Sequence, residues 1–200
     1  MFDPNLTFSW VIYADRSYVA TRLLFFSGLW FEASFNAHRT VELYLKAYIV
    51  SKGGTISPDS PGWGHKLGQL GEECSRYCFS FKNVEVTRRL HYFERYFQFV
   101  RYPNEEPSPN DGSLTWFSYD SNILPLDELV AFIRPRIYLT DKEWIESYLF
   151  DLYNRPSVTT SYPKRALTDH NDKLEIILCN KTNDSSVEFT KNFNFDKPGC

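Results

Sequence analysis

The residues best able to do chemistry in this 200-residue chain are its four histidines and the basic side chains near them. Histidine titrates close to neutral pH and can move a proton, whereas arginine and lysine hold phosphate groups. His38, Arg39 and Lys46 follow one another in the stretch FNAHRTVELYLKAYIVSKG, and His65 and Lys66 come just after a segment rich in proline and glycine. These residue types favour a site for a phosphate-bearing ligand.

The spacing within the first cluster supports two interpretations. Glu42 precedes Lys46 by four residues, and such an ion pair on a helix surface contributes only about 0.3–0.5 kcal/mol. Alternatively, Arg39 and Lys46 line a groove together with His65 and Lys66. The free backbone amides at the start of the next helix would favour an anion in that groove.

Arg101 and Tyr102, which precede Pro103, are further candidates. They could add a cation and a stacking ring to the site, or they could only cap and pack the end of a helix. The surrounding segment RRLHYFERYFQFVRY is basic and aromatic, but its arginines are not expected to share one continuous helical face. The predicted nucleotide- or RNA-binding residues are Arg39, Lys46, His65, Lys66 and Arg101.

The overall composition excludes several classes of protein. A formal net charge of −3 and a pI near 5.8 argue against a broadly basic surface that binds nucleic acid non-specifically. The N-terminus lacks a signal-peptide pattern, and no run of about 18 apolar residues could span a membrane, so we expect a cytoplasmic protein. Cysteine and histidine pairs at zinc spacing are missing, as is a glycine-rich phosphate loop, so the sequence predicts no metal site and no cofactor.

Helices must position the candidate residues, because apolar side chains recur at steps of three and four along most of the chain. The expected helices cover approximately residues 4–28, 29–51, 65–74, 84–102, 126–133 and 140–155. Helices of this length, joined by turns, predict an all-α antiparallel bundle over residues 1–155. The pattern fades over residues 156–200, apart from a strand-like run at 174–179, which predicts a polar, mostly irregular and flexible C-terminal tail.

Residues 103–123 combine three prolines with asparagine, aspartate, serine and glycine, which predicts a long exposed loop. The loop carries Trp116 and Phe117. An exposed pair of large aromatic residues would favour a contact with another protein. A protein-interaction module is therefore one alternative for the function.

Three fragments together resemble the HEPN family of small helical bundles. The first is VELYLKA, from Val41 to Ala47, within an aromatic and alanine-rich helix. The second is HKLGQL, which starts at His65, and the third is FVRYP, which ends at Pro103. Their order and spacing extend the resemblance over approximately residues 9–135, and it implies the same all-α bundle.

The resemblance also implies what such a protein does. Some members of the family are metal-independent ribonucleases, in which an arginine and a histidine four to six residues apart cut RNA, often at a dimer cleft. In this chain Arg165 and His170 are the only pair with four intervening residues, and they lie in the tail. Arg88 and Arg89 precede His91 by only three and two residues. The weak catalytic candidates are Arg165, His170 and His91.

Other members of the family bind nucleotides or small nucleotidyltransferases and lack the catalytic pair. We therefore expect a non-catalytic homodimer that binds a nucleotide, RNA or a partner protein. A metal-independent ribonuclease and a pure protein-interaction module are the alternatives.

Overall fold

The protein is described by a computed structural model over residues 4–56, 65–101, 118–154 and 162–179. All regular elements in these ranges are helical, and they include nine α-helices. In chain order the α-helices are α1 (Pro4–Phe26), α2 (Trp30–Ser51), α3 (Leu67–Ser75), α4 (Val84–Arg101), α5 (Leu124–Ile133), α6 (Asp141–Glu146), α7 (Tyr148–Asn154), α8 (Tyr162–Thr168) and α9 (Leu174–Ile177).

The two longest helices, α1 and α2, form an antiparallel pair joined by a tight turn. Gly28 lies in this turn with a φ of +77°, a conformation that only glycine adopts without cost. Gly53, with a φ of +81°, follows α2 in the same way. The expected ends of the first two helices, near residues 28 and 51, therefore agree with the structure.

Helices α3, α4 and α5 pack onto this pair. At Gly71 of α3, an added Cβ would lie 2.4 Å from Cδ1 of Leu90 on α4, so only glycine permits so close an approach. A π-helical turn, Tyr119–Ile123, leads into α5, and the side chain of Ser118 caps it by accepting a hydrogen bond from the backbone of Ser121. Helix α5 continues as the 3-10 turn Arg134–Arg136.

Large aromatic rings fill much of the core, as an aromatic content of 18% predicts. The fully buried rings are those of Tyr18, Tyr44, Tyr48, Phe81, Phe93 and Phe132. Two of these tyrosines also carry buried hydrogen bonds. Tyr18 donates to Asp127 at 2.6 Å, and Tyr44 donates to Asp15 at 2.6 Å.

Two fully buried arginines attach the last helices to the bundle. Arg22 of α1 pairs with Asp127 of α5 and donates to the carbonyl of Ala166 in α8 at 2.6 Å. Arg134 pairs with Asp15 at 2.9 Å and donates to the carbonyl of Ile177 in α9 at 2.7 Å. A buried guanidinium needs all of these partners, because an unpaired buried charge is very unfavourable.

The structure confirms the all-α bundle and differs from the expected elements in several places. The expected helix at 140–155 begins with a capping box at Thr140 but divides at Ser147, whose hydroxyl accepts from buried Arg134. Residues 119–123 are helical rather than part of a loop. The strand-like run at 174–179 instead begins with helix α9, because its apolar residues pack on the bundle.

Residues 162–179, which the sequence assigns to the flexible tail, contain α8 and α9 in the described part of the structure. Leu167, Leu174 and Ile177 of these helices belong to the hydrophobic core. Tyr102, Trp116 and Phe117 lie outside the described residues. Among the residues that are described, no helix is both long enough and apolar enough to cross a membrane.

Candidate functional site

A cluster of polar side chains lies where α2 meets the start of α3. His38, Glu42 and Lys46 are four residues apart, so they share one face of α2. Glu42 forms an ion pair with Lys46 through Oε1, and its Oε2 lies 3.0 Å from Nδ1 of His65 and 3.8 Å from Nδ1 of His38. One carboxylate therefore connects three side chains that the sequence places in two separate segments.

The ring of Phe97 on α4 packs against this cluster. His38 stacks on it, with ring centroids 4.1 Å apart and an interplanar angle of 19°, and the His65 ring lies 5.8 Å away. The guanidinium of Arg101 is 5.8 Å from the centroid of the same ring, within the range of a cation–π contact. Phe97 thus brings Arg101 to the two histidines.

His38 is neutral at pH 7 because burial lowers its pKa, although the His65 carbonyl and the Glu42 carboxylate both favour its protonation. Its Nε2 lies 2.9 Å from the carbonyl oxygen of His65. Since a carbonyl can only accept, Nε2 carries the proton. The lone pair of the neutral ring is therefore on Nδ1, which faces Glu42.

The five predicted binding residues are only partly brought together. Lys46, His65 and Arg101 meet around Glu42 and Phe97, whereas the side chains of Arg39 and Lys66 are exposed to solvent. The expected Glu42–Lys46 ion pair is present, but both side chains are largely buried, at 10% and 11% exposure, rather than solvated. A ligand-binding role for this set stays a prediction.

One backbone amide at the start of α3 already has an internal carboxylate as its acceptor. The backbone N–H of Gly68 donates to the carboxylate of Glu94 on α4 at 2.9 Å. An internal carboxylate thus occupies a position where the sequence suggests an anion could bind.

A larger concave site lies between α4 and the segment that leads into α5. It is a cleft of approximately 740 Å³, lined on the α4 side by Glu85, Arg88, Arg89, Tyr92 and Arg95 and on the other side by Asp120, Ser121, Leu124, Pro125 and Glu128. We call it the α4–α5 cleft. Its volume is in the range of about 300–1,000 Å³ that is typical of small-molecule sites.

Ion pairs organise the α4 wall of this cleft. Glu85 accepts from Arg88 at 3.0 and 2.7 Å and from Arg89 at 2.8 Å. Arg89 also reaches Glu128 on α5 at 2.5 Å. The phenol of Tyr92 accepts from Asn122 at 2.7 Å, and burial raises the pKa of this tyrosine to about 12.

The arginines of α4 do not share one continuous face when Arg101 is included, so the sequence did not predict this cleft. Without Arg101, the spacing of Arg88, Arg89, Tyr92 and Arg95 fits one broad helical face, which is a signal that the sequence contains. The opposite wall could not be predicted, because it combines the end of the expected long loop with the start of the helix that follows it.

The weak catalytic candidates lie apart from the cleft lining. Arg165 is exposed on α8, and its Nε lies 3.5 Å from Oδ2 of Asp169. His170 is exposed in the following turn with a φ of 54°, and its carbonyl accepts from Tyr119. His91 is exposed on α4, near Gly68 of α3.

The sequence matches the model of a known protein family. The HEPN domain model matches residues 9–115, more than half of the chain. The chain therefore belongs to the HEPN domain family, a family with nucleotide- and RNA-related roles. No curated protein and no solved structure gives a match.

Proposed function

We propose that this HEPN protein is a non-catalytic module that binds a nucleotide in the α4–α5 cleft. The observation that carries the proposal is the cleft itself, which combines a volume of approximately 740 Å³ with three arginines on one wall. Few concave sites in a protein have both a suitable volume and convergent polar groups, so such a cleft is the natural candidate for a ligand site.

The arginines differ in how they would meet a phosphate. Arg89 is 17% exposed and is held between Glu85 and Glu128, so it mainly fixes the wall. Arg88 is 72% exposed, and Arg95 is exposed two turns further along α4. Arg88 can exchange its exposed ion pair with Glu85 for a phosphate at little net cost, since such surface pairs are weak and a guanidinium binds phosphate through paired hydrogen bonds.

The rest of the lining suits the nucleoside part of a nucleotide. Tyr92, Leu124 and Pro125 supply apolar surface for a base. Asp120 and Ser121 supply oxygens that can accept hydrogen bonds from ribose hydroxyls or base amino groups. A balance of acidic and basic groups in the lining fits a ligand that has both donors and phosphate oxygens.

The absence of catalysis is supported by the position of the histidines. Within the described ranges, no histidine lines the cleft. The general acid and base of the ribonuclease chemistry would therefore have to come from elsewhere. Homodimer formation and the binding of RNA or a protein partner remain predictions of this proposal.

The test is a calorimetric titration of the full-length protein with ATP at low and moderate salt. Arg88→Ala and Arg95→Ala together are expected to weaken binding at least tenfold, which corresponds to about 1.4 kcal/mol. Lys66→Ala and Arg101→Ala form the matched control, because they remove two exposed cations of the other candidate site. The control pair is expected to bind ATP within about twofold of the wild type.

Two other results of the ATP titration would contradict the proposed nucleotide site. If the control pair loses binding and the cleft pair keeps it, the nucleotide site is the predicted set around His65 and Phe97, and the cleft proposal is wrong. If the wild type shows no saturable binding of ATP at either salt concentration, nucleotide binding is wrong. Circular dichroism of each variant must match the wild type, so that a loss of binding is not a loss of fold.

A further inference from the structure

We propose that His38, Glu42 and His65 form a binding site for a divalent transition-metal ion of the Zn²⁺ class. Each residue offers one ligand atom, and the three atoms lie within 4.8 Å of one another. Two imidazole nitrogens and one carboxylate oxygen form a donor set that zinc adopts in proteins with three protein ligands. The proposal does not depend on nucleotide binding in the α4–α5 cleft.

Two of the three separations between ligand atoms are close to those around a tetrahedral ion, and the third is at most 4.8 Å. Bonds of about 2.0–2.2 Å at a tetrahedral centre separate neighbouring ligand atoms by about 3.4 Å. The observed separations from Glu42 Oε2 are 3.0 Å to Nδ1 of His65 and 3.8 Å to Nδ1 of His38, one slightly shorter and one slightly longer. His65 precedes α3 and its side chain is 61% exposed, so it has room to make the adjustment.

The buried histidine is already oriented as a ligand. The Nε2–H of His38 donates to the carbonyl of His65 at 2.9 Å, and the ring stacks on Phe97. A hydrogen bond from the distal nitrogen is the usual support of a metal-bound histidine, since it fixes both the tautomer and the plane of the ring. This hydrogen bond leaves the lone pair of Nδ1 directed toward the carboxylate of Glu42. Nδ1 of His38 and Oε2 of Glu42, both electron-rich, therefore face each other at 3.8 Å.

The two carboxylate oxygens of Glu42 have different partners, and this arrangement leaves one oxygen for a metal. Its Oε1 pairs with Lys46, and its Oε2 lies nearest the two histidines. A metal bound at Oε2 would keep the Lys46 ion pair intact. His65 would only move its proton from Nδ1 to Nε2, so binding to the neutral ring releases no proton.

Solvent access and an open coordination position complete the site. The exposure of His65 gives an ion access from solvent. Three protein ligands leave a fourth position for water or for an oxygen of an anionic ligand.

The sequence contains only part of this signal. His38 and Glu42 are four residues apart on one helix and could be recognised as a ligand pair. Nothing in the sequence shows that His65 meets them, because a segment rich in proline and glycine separates them along the chain. The spacing of cysteines and histidines alone predicts no metal site, because it does not include a glutamate between two histidines from separate segments.

The test is a calorimetric titration of the metal-stripped full-length protein with ZnCl₂. We expect one saturable equivalent, and His65→Ala should weaken it at least tenfold. His91→Ala and His170→Ala are matched controls, because each also removes an exposed histidine. We expect both controls to bind Zn²⁺ within about twofold of the wild type, as the loss of an uninvolved side chain should leave the affinity nearly unchanged.

Two further readouts separate a built site from surface binding. Zn²⁺ should raise the Tm of the wild type and of both controls but not that of His65→Ala, because an ion that binds only the folded state stabilises it. Co²⁺ should give the visible absorption of a tetrahedral nitrogen and oxygen site in the wild type and lose it in His65→Ala. The proposal is overturned if the wild type does not bind Zn²⁺ saturably, if His65→Ala binds it as tightly, or if a control variant loses it.

Discussion

Arg22 and Asp127 form a salt bridge in which both side chains are 0% exposed. The pair connects α1 with α5, and the same guanidinium donates to the carbonyls of Ala166 and Asp169 at 2.6 and 2.5 Å. Asp127 also accepts from Tyr18. One buried ion pair therefore fixes the position of three helices.

Replacement of Arg22 is expected to destabilise the protein severely. Arg22→Met removes the partner of a buried carboxylate and the donor to two carbonyls, and breaking a buried pair costs about 3–5 kcal/mol. Urea denaturation followed by circular dichroism measures the loss. The matched control is Arg16→Met, which removes an exposed arginine from the same helix and should change the midpoint only slightly. Equal losses in the two variants would contradict this role of Arg22.

The buried carboxylate should also make stability depend on pH. Burial raises the pKa of Asp127 to about 6, against the opposing effect of Arg22. The folded state therefore holds this proton more tightly than the unfolded state does. The contribution of the protonated Asp127 to the free energy of unfolding is largest below about pH 4, and it is lost as the pH rises through 6.

We therefore expect the unfolding free energy of the wild type, measured relative to Asp127→Asn, to fall by roughly 2–3 kcal/mol between pH 4 and pH 7. Urea titrations of both proteins across this range give the difference directly. A difference that rises with pH would mean that Arg22 outweighs burial and keeps the pKa of Asp127 below its ordinary value.

The contact between α3 and α4 predicts opposite effects for two glycines. An added methyl group at Gly71 would meet Leu90 at 2.4 Å, and Leu90 is buried. Gly71→Ala should therefore lower stability by about 1–3 kcal/mol, as overpacking does.

Gly68→Ala is the control for this substitution. The added methyl group would meet the ring of His91 at 2.7 Å, but this ring is exposed and can turn away. Alanine also has a higher helix propensity than glycine by about 1 kcal/mol. The Tm of Gly68→Ala should equal or exceed that of the wild type, and a Tm below that of Gly71→Ala would contradict the packing argument.

The proposed lack of catalysis predicts that the purified protein leaves a short single-stranded RNA uncut in the presence of EDTA. His91→Ala and His170→Ala should behave like the wild type when the products are separated on a denaturing gel. Cutting by the wild type that either variant abolishes, with an unchanged circular dichroism spectrum, would support the metal-independent ribonuclease instead.

The long helices and their ends were predictable because they depend on local signals. The apolar spacing of α1, α2 and α4 and the glycines that follow α1 and α2 are all contained in short stretches of sequence. The capping box at Thr140 is equally local. Such features require no knowledge of the neighbouring helices.

Helix α9 and the two candidate sites could not be predicted, because they depend on contacts between residues that are far apart in the sequence. Helix α9 looks strand-like in isolation, and it is helical where its apolar residues reach the core and the carbonyl of Ile177 accepts from Arg134. The α4–α5 cleft needs two walls, of which only α4 has a recognisable pattern. The cluster around Glu42 needs His65, whose position is set by the packing of α3 on α2 and α4.

The attachment of α8 and α9 by two arginines also affects where the chain can be shortened. The match to the HEPN family ends at residue 115, but a fragment that stops at 155 would leave Arg22 without the carbonyls of Ala166 and Asp169 and Arg134 without that of Ile177. Each guanidinium group would keep its carboxylate partner but would leave at least one of its N–H groups without an acceptor in the protein interior. We infer that the smallest fragment able to unfold in a single cooperative transition extends at least to residue 179, well beyond the region by which the family is recognised.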